Sequence, residues 1–371
     1  MFKKISALLL AAVVTVMCFA GCHKKGETVL SLDGYEIPSG LYLAVQLNSF
    51  NQFSSEVQSQ LGSNNKPSSI TDYLKYSIDS VSAEDWIHNK TIEALRSYVA
   101  VERKFAEAGL SLEKTDTSMV DYYMQYYWDY YGYKSFYEAN GVSSDSYRLI
   151  WENTAKSNKL FTYYYDKADE ETGLGGIYAV SDEDIVKYLG ENYILADRLT
   201  ITVSDDGDVT AESAMSKLNG YARRINSGTS FETIKEEYDA ENPSDTSSTA
   251  QNVSVNPDNT SIYPKTATVY TQSANTSVYS AMAQLKADST FEYSKAIVTD
   301  DSANGSCYLT VIYDITKDDY YINSYRSSVL SNMKGEEFTN LLKTTGDAYT
   351  LDENKSLVNR YSALKIKAAE K

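Results

Sequence analysis

The chain has 371 residues, 42% of them hydrophobic and 23% charged, which is enough for two or three domains with a substantial core and is ordinary for a soluble globular protein. Its 34 Lys and Arg against 51 Asp and Glu leave a formal charge of -17, a surface that repels phosphates and excludes a nucleic-acid partner. Tyrosine is in excess, 33 residues against 10 Phe and 3 Trp, so much of the aromatic area carries a polar tip suited to wet surfaces.

The first residues, MFKKISALLLAAVVTVMCFAGC, place two lysines before an apolar stretch from Ile5 to Ala20, with Ala20 and Gly21 directly ahead of Cys22. That is the layout of a bacterial lipoprotein signal peptide, residues 1–21. The stretch is short for a spanning helix, and no later run reaches about 18 apolar residues. Small residues before the cysteine admit a peptidase, and the Cys22 thiol is the expected lipid acceptor. Phe19 stands where such signals usually carry Leu. The alternative is an ordinary secretory signal that leaves Cys22 as a free thiol. Acyl chains at roughly 0.8 kcal/mol per buried methylene would hold the mature chain on the extracytoplasmic face of the membrane. Residues 22–28 form the tether, with Lys24 and Lys25 at the headgroups. Cys18 leaves with the signal and Cys22 carries the lipid, so Cys307 has no partner for an internal disulfide.

TVLSLDGYEI, residues 28–37, alternates around Asp33-Gly34 and predicts a tight hairpin. A helix is expected from Ser39 to Leu61, then a polar loop through Lys66, Pro67 and Ser68. Residues 83–109 space Ile87, Ile92, Leu95, Val99 and Phe105 as a helix ending at Gly109. His88 on its flank reads as a solvated or core-edge histidine, since no second histidine can complete a metal site. Two helices follow, Thr117–Asn140 and Ser144–Asp169, divided at Gly141, with Ser143 or Ser144 as cap. A hairpin plus four helices with no βαβ alternation argues against a solute-binding fold.

Residues 170–180 read as a link. SDEDIVKYLGENY predicts a short helix with an acidic first turn. A strand is expected at Leu199–Val203, a helix at Ala211–Ser227 stopped by Gly228, and another opened by a Thr229/Glu232 capping box. Residues 242–277, rich in Ser, Thr, Asn and Gln, read as a long exposed loop with at most short strands. A short helix at Val278–Leu285 precedes a hairpin, Ala296–Thr299 with Tyr308–Ile312, around Asn304-Gly305. The last helix is expected at Tyr320–Thr345. No internal repeat and no cofactor or metal motif is present.

This order resembles the SurA-like and PrsA-like exported chaperones. SLDGYEIPSGLY resembles the family's opening strand, turn and helix, and IEALRSYVAVERKFAEAGLSL resembles its helix ending in Ala-x-x-Gly. FYEANGVSSDSYRLIWENTAKSNKL resembles its short helix, turn and long helix, and VSDEDIVKYLGENY the lead-in to its parvulin-type peptidyl-prolyl isomerase domain. The resemblance implies an α+β, predominantly helical chain. Residues 29–170 with 318–371 would form a discontinuous helical chaperone domain, and residues 181–316 an inserted parvulin-like α/β domain. It also implies unfolded exported proteins as partners; a homodimer stays open.

Within the parvulin-like part the chain departs from the family where chemistry should be. Parvulin sites combine histidines from two strands with a cysteine or aspartate. Here no histidine follows His88, Arg198 and Leu199 stand where the first is expected, and no glycine occurs between Gly228 and Gly305. Cys307 falls on the last hairpin, where a buried structural thiol is expected. No catalytic residue is assigned. Binding is the remaining role, and DYYMQYYWDYYGYKSFY, residues 121–137, is the candidate surface. On a continuous helix Tyr123, Tyr127, Tyr130 and Tyr137 would face the core, leaving Tyr122, Tyr126, Trp128 and Tyr133 as the client-binding set. The alternative is that both faces are buried between helices. The leading reading is a lipid-anchored holdase without isomerase activity. The rivals are an envelope module binding cell-wall glycan or another envelope protein, and an active isomerase with an atypical site.

Overall fold

Asp33 and Gly34 both adopt positive φ, 48° and 80°, the geometry that a two-residue hairpin needs. They join β1 (Thr28–Leu32) to β2 (Tyr35–Pro38). The computed structural model describes residues 26–62, 65–204, 208–243 and 261–369; Cys22, the expected signal and most of the tether lie outside them. The chain divides into two compact units, one running to Tyr178 and resuming at Glu336, the other spanning Ala179–Gly335. It is predominantly helical, with small antiparallel sheets.

In the first unit α1 (Ser39–Leu61) is buried on several faces and feeds three cores. Leu41, Tyr42 and Val45 meet Leu30 and Ile37 of the hairpin. Phe50, Phe53 and Val57 meet Ile78 and Ile87, whereas Ala44 and Leu47 meet Trp128, Tyr137 and Tyr147. A one-turn α2 (Ile70–Tyr73) and the short pair β3 (Ser77–Ile78) and β4 (Val81–Ser82) lead to α3 (Ala83–Glu107). Ser82 caps α3 by accepting from the Asp85 amide at 3.2 Å, and Gly109, φ 68°, turns the chain away at its end.

The helix expected at Thr117–Asn140 is three pieces. They are α4 (Lys114–Tyr123), a π-helical stretch (Met124–Tyr130) and α5 (Tyr133–Ala139). Gly132 at φ 71° breaks the axis, a conformation that few other residues hold. Then α6 (Ser144–Tyr165), capped by Ser143, packs on α1, α3 and α4.

The second unit opens with α7 (Asp182–Asn192) and β5 (Tyr193–Thr202). The strand was expected only from Leu199. Tyr193 to Asp197 are all buried, because β5 is central and covered on both faces, so its first half lacks the alternation that marks a half-exposed strand. Helices α8 (Ala211–Asn226) and α9 (Phe231–Glu241) follow. The cap of α9 is Ser230, accepting from the Thr233 amide at 3.1 Å, in place of the expected Thr229 box. Within the expected loop 242–277, residues 244–260 lie outside the described set, and β6 (Thr268–Thr271) is a short strand.

After α10 (Thr276–Ala287), β7 (Ala296–Asp301) and β8 (Ser306–Tyr313) form the hairpin, with Gly305 at φ 81°. The sheet runs β6-β5-β8-β7, antiparallel throughout. Ile194, Ala196 and Ile312 pack on Met282 of α10, and α8 covers the other face of β7 and β8.

The last long helix, α11 (Asp319–Asp347), departs from the expected domain boundaries, 29–170 with 318–371 against 181–316. Residues 318–335 group with the second unit. Tyr325 stacks edge-on with Tyr193 at 5.4 Å, Asn332 bonds the Tyr193 hydroxyl at 3.1 Å, and Arg326 pairs with Asp182 at 2.6 Å. From Glu336 onward the contacts are those of the first unit: Phe338 meets Phe161 at 5.4 Å, and Arg96 donates to the Gly346 and Tyr349 carbonyls at 2.7 and 2.6 Å. A cation there meets the orphan carbonyls of a helix end. Next, β9 (Leu351–Glu353) pairs with β1, making the order β2-β1-β9, and α12 (Lys355–Arg360) covers β1.

Candidate functional site

The aromatic segment 122–137 is built in layers. The π-helical stretch closes with the Tyr131 amide donating to the Tyr126 carbonyl at 3.0 Å, five residues back. Each such turn holds one residue more than an α-helical turn, so every side chain after Met124 is rotated from its α-helical place. Trp128, expected outward with the client-binding set, is therefore inside, 5% exposed, against Tyr147 at 5.2 Å and Tyr137 at 6.1 Å. Tyr130, expected to face the core, is 79% exposed.

The inner layer is Trp128, Tyr137 and Tyr147 with Ala44, Leu47 and Val142. Tyr137 donates to Asn48 Oδ1, which satisfies its buried hydroxyl. The middle layer is half-buried: Tyr123 and Tyr127 stack on Trp151 of α6 at 4.8 and 5.1 Å. The outer layer begins with Tyr122, Tyr126 and Tyr130, whose rings lie 5.8 and 6.0 Å apart with planes only 16° off parallel. Tyr131 meets Tyr126 edge-on at 4.8 Å with their hydroxyls 3.0 Å apart, and Tyr133 stacks on Tyr127 at 5.9 Å. The bond to Tyr131, more than burial, pushes the Tyr126 hydroxyl up to about 12, so it stays neutral at physiological pH.

Of the expected set, Tyr122 and Tyr133 are exposed, 59% and 41%, and Tyr126 is half-buried between Tyr122 and Tyr130. Trp128 is withdrawn from the set. Tyr130 and Tyr131 belong to the surface and were missed, because a continuous α-helix puts the first on the wrong face. Glycine at position 132 was the available signal for a break. Cys22 lies outside the described residues.

The second unit presents different chemistry at the position where a parvulin-like site is expected. Leu199 is buried, and the Arg198 guanidinium lies 3.6 Å from the ring centre of Tyr308 on the neighbouring strand. Next to it, Asp197 is 1% exposed and accepts from the Tyr313 hydroxyl at 2.7 Å. Burial pushes the Asp197 carboxyl up to about 6, and the Tyr313 bond only partly offsets that; burial likewise pushes the Tyr313 hydroxyl far above its ordinary value. Sequence reading did not single out this acid. Cys307 is fully buried on β8, as a structural thiol would be.

His88 is half-buried in the first unit, with Nε2 3.2 Å from Glu353 Oε1 and Nδ1 3.4 Å from the Tyr42 hydroxyl. It ties α3 to β9 at the edge of the core. Among the described residues no three His, Cys, Asp or Glu side chains gather as metal ligands, and no helix is long and apolar enough to cross a membrane.

No family model and no curated protein matches this chain. Among solved structures it is similar to the foldase protein PrsA from Lactococcus lactis, at 12% identity and a TM-score of 0.33, over 91% of this chain and 100% of that one. It is also similar to the foldase protein PrsA from Streptococcus pneumoniae, at 12% identity and a TM-score of 0.34, over 77% of this chain and 98% of that one.

Proposed function

We propose that this chain is a lipid-anchored extracytoplasmic chaperone that holds unfolded exported polypeptides on its tyrosine surface without isomerising their prolines. The observation that carries the reading is the outer layer of Tyr122, Tyr126, Tyr130, Tyr131 and Tyr133. It is a contiguous exposed aromatic patch of the kind that marks an interaction site, backed by buried rings that keep it in place. Rings with hydroxyl tips bury apolar client segments and still bond their backbone, which suits weak and varied partners. The order of sequence motifs supports the PrsA-like layout, with the second unit as a degenerate parvulin-like domain. Proline rotation must cross roughly 18–20 kcal/mol, and lowering that barrier takes polar groups aimed into a closed site. Arg198 is engaged with Tyr308 and Asp197 with Tyr313, so neither is free for that task.

Replacing Tyr122, Tyr130, Tyr131 and Tyr133 together by Ser is expected to abolish most of the protection of an aggregating client. Stability should change by no more than about 0.5 kcal/mol per site, since each ring is at the surface. Light scattering of the client and thermal unfolding of the variant check both halves, and a protease-free peptide assay is expected to show no acceleration of proline isomerisation. Protection undiminished in the variant would sink the reading. Saturable binding to purified wall glycan, without client protection, would favour an envelope-binding module.

The anchor has its own test. Cys22→Ala is expected to leave an unprocessed precursor without acyl mass, because the thiol is the lipid acceptor in this reading. A wild-type chain extracted from membranes and found by mass spectrometry to lack acyl groups would remove the lipid anchor.

A further inference from the structure

Given the tyrosine surface as the client site, we infer that it selects cationic segments, arginine-bearing stretches above all, by cation–π contact with the exposed ring faces of a net-acidic segment. The face of a tyrosine ring is the negative pole of its quadrupole and attracts a cation within about 6 Å of the ring centre. This chain uses that contact repeatedly on its own behalf. Arg198 lies over Tyr308 at 3.6 Å, Arg103 over Tyr349 at 4.8 Å and Lys217 over Tyr238 at 4.9 Å. Among the described residues none of its Lys or Arg side chains lies over a ring of the outer layer. Tyr122 and Tyr130, at the two ends of the ladder, meet Tyr123 and Tyr131 edge to face but stay mostly exposed, so a cation from outside can reach them.

The charges around the ladder have the matching sign. Asp129, next to Tyr130, is exposed and makes no ion pair among the described residues. Asp121, next to Tyr122, is held by Arg148 at 2.7 Å, but Arg148 also serves Glu152 at 2.9 Å, so this trio stays net negative. Between residues 121 and 138 the acids are Asp121, Asp129 and Glu138, against Lys134 alone. A guanidinium fits better than an ammonium, because it is planar, lies flat on a ring and can also grip a carboxylate with two donors. The formal charge of -17 draws such a segment in from a distance and repels both an acidic segment and a second copy of this chain.

The test uses the whole mature protein and three peptides of equal length, with Arg, Gln or Glu at alternate positions among Gly and Ser, followed by calorimetry. The Arg peptide is expected to bind about tenfold more tightly than the Gln peptide and the Glu peptide not at all, and the advantage should shrink at about 0.5 M salt. Tyr122→Phe with Tyr130→Phe should keep the preference, because the ring face remains. Tyr122→Leu with Tyr130→Leu should lose it, and Asp129→Asn should weaken the Arg peptide severalfold. Arg and Gln peptides bound equally well, both lost in the leucine variant, would overturn the charge selection and leave the client site standing. An Arg peptide bound unchanged by the leucine variant would also overturn it, since binding would then be spread over the acidic surface. Undiminished client protection in the leucine variant would count against the client site itself, a separate failure.

Discussion

Trp128→Ala is expected to destabilise the first unit by about 3–5 kcal/mol, the usual cost of truncating a buried large aromatic. The indole is 5% exposed and packs between Tyr137 and Tyr147 over Ala44 and Leu47 of α1. Its loss would leave a cavity under the π-helical stretch, where neighbouring rings are held by α1 and α6 and can close in only partly. The chain's 3 tryptophans, Trp86, Trp128 and Trp151, all lie in the first unit, so urea unfolding followed by indole fluorescence reports that unit alone. The midpoint should fall sharply with little change in slope. Tyr130→Ala, two residues along and exposed, is the control, expected to stay within about 0.5 kcal/mol of wild type. A small effect at Trp128 together with lost client protection would restore the outward orientation expected on a continuous helix.

Asp197→Asn is expected to stabilise the second unit at neutral pH, and by an amount that depends on pH. The folded state raises this carboxyl from an ordinary 3.8 to about 6, so it holds the proton more tightly than the unfolded chain does. Stability from this group is therefore greatest below pH 4, is lost as the pH rises through the interval from about 4 to 6, and is flat above it. At 1.36 kcal/mol per unit the full loss is on the order of 3 kcal/mol. Asparagine cannot ionise, and its Oδ1 can still accept from the Tyr313 hydroxyl, so the variant should recover much of that loss at pH 7 and little at pH 4. Chemical unfolding of both proteins at several pH values, followed by tyrosine fluorescence and circular dichroism, gives the difference directly. A constant difference across that range, or a variant destabilised at pH 7, would show that Asp197 is not a buried acid held near neutrality.

Much of the secondary structure is legible in the sequence where the signal is local. The hairpin turns at Asp33-Gly34 and Asn304-Gly305 both form, the first with positive φ at both residues and the second with positive φ at Gly305 after a 3-10 turn over Ser302–Asn304. Helices 39–61 and 83–107 follow their apolar spacing, and Gly109 and Gly228 end helices as read. Errors arise where a neighbour, and not the segment, sets the pattern. The first half of β5 was missed because burial on both faces erases alternation. Residues 318–335 are expected in the helical domain because their apolar stripe needs a partner and helices at 211–227 and 230–238 already cover the middle strands, whereas Tyr325, Arg326 and Asn332 find their partners at Asp182 and Tyr193.

The candidate surface shows the same division. That residues 121–137 carry more rings than one packing stripe can use is a property of the sequence, since it needs only a count and a helical period. Which rings face water is not, because the answer turns on one extra residue per turn between Met124 and Tyr130. The sequence by itself determined the Asp33-Gly34 turn and the helix ends at Gly109 and Gly228, which depend on chemistry within a few residues, and the acidic balance and excess of tyrosine, which need only a count. Only the tertiary structure decided that Trp128 is core and Tyr130 surface, and that Asp197 is sealed in with Tyr313. Exposure and acidity are set by what packs against a group, and for these residues the deciding neighbours, Ala44, Tyr147 and Tyr313, are distant in the chain.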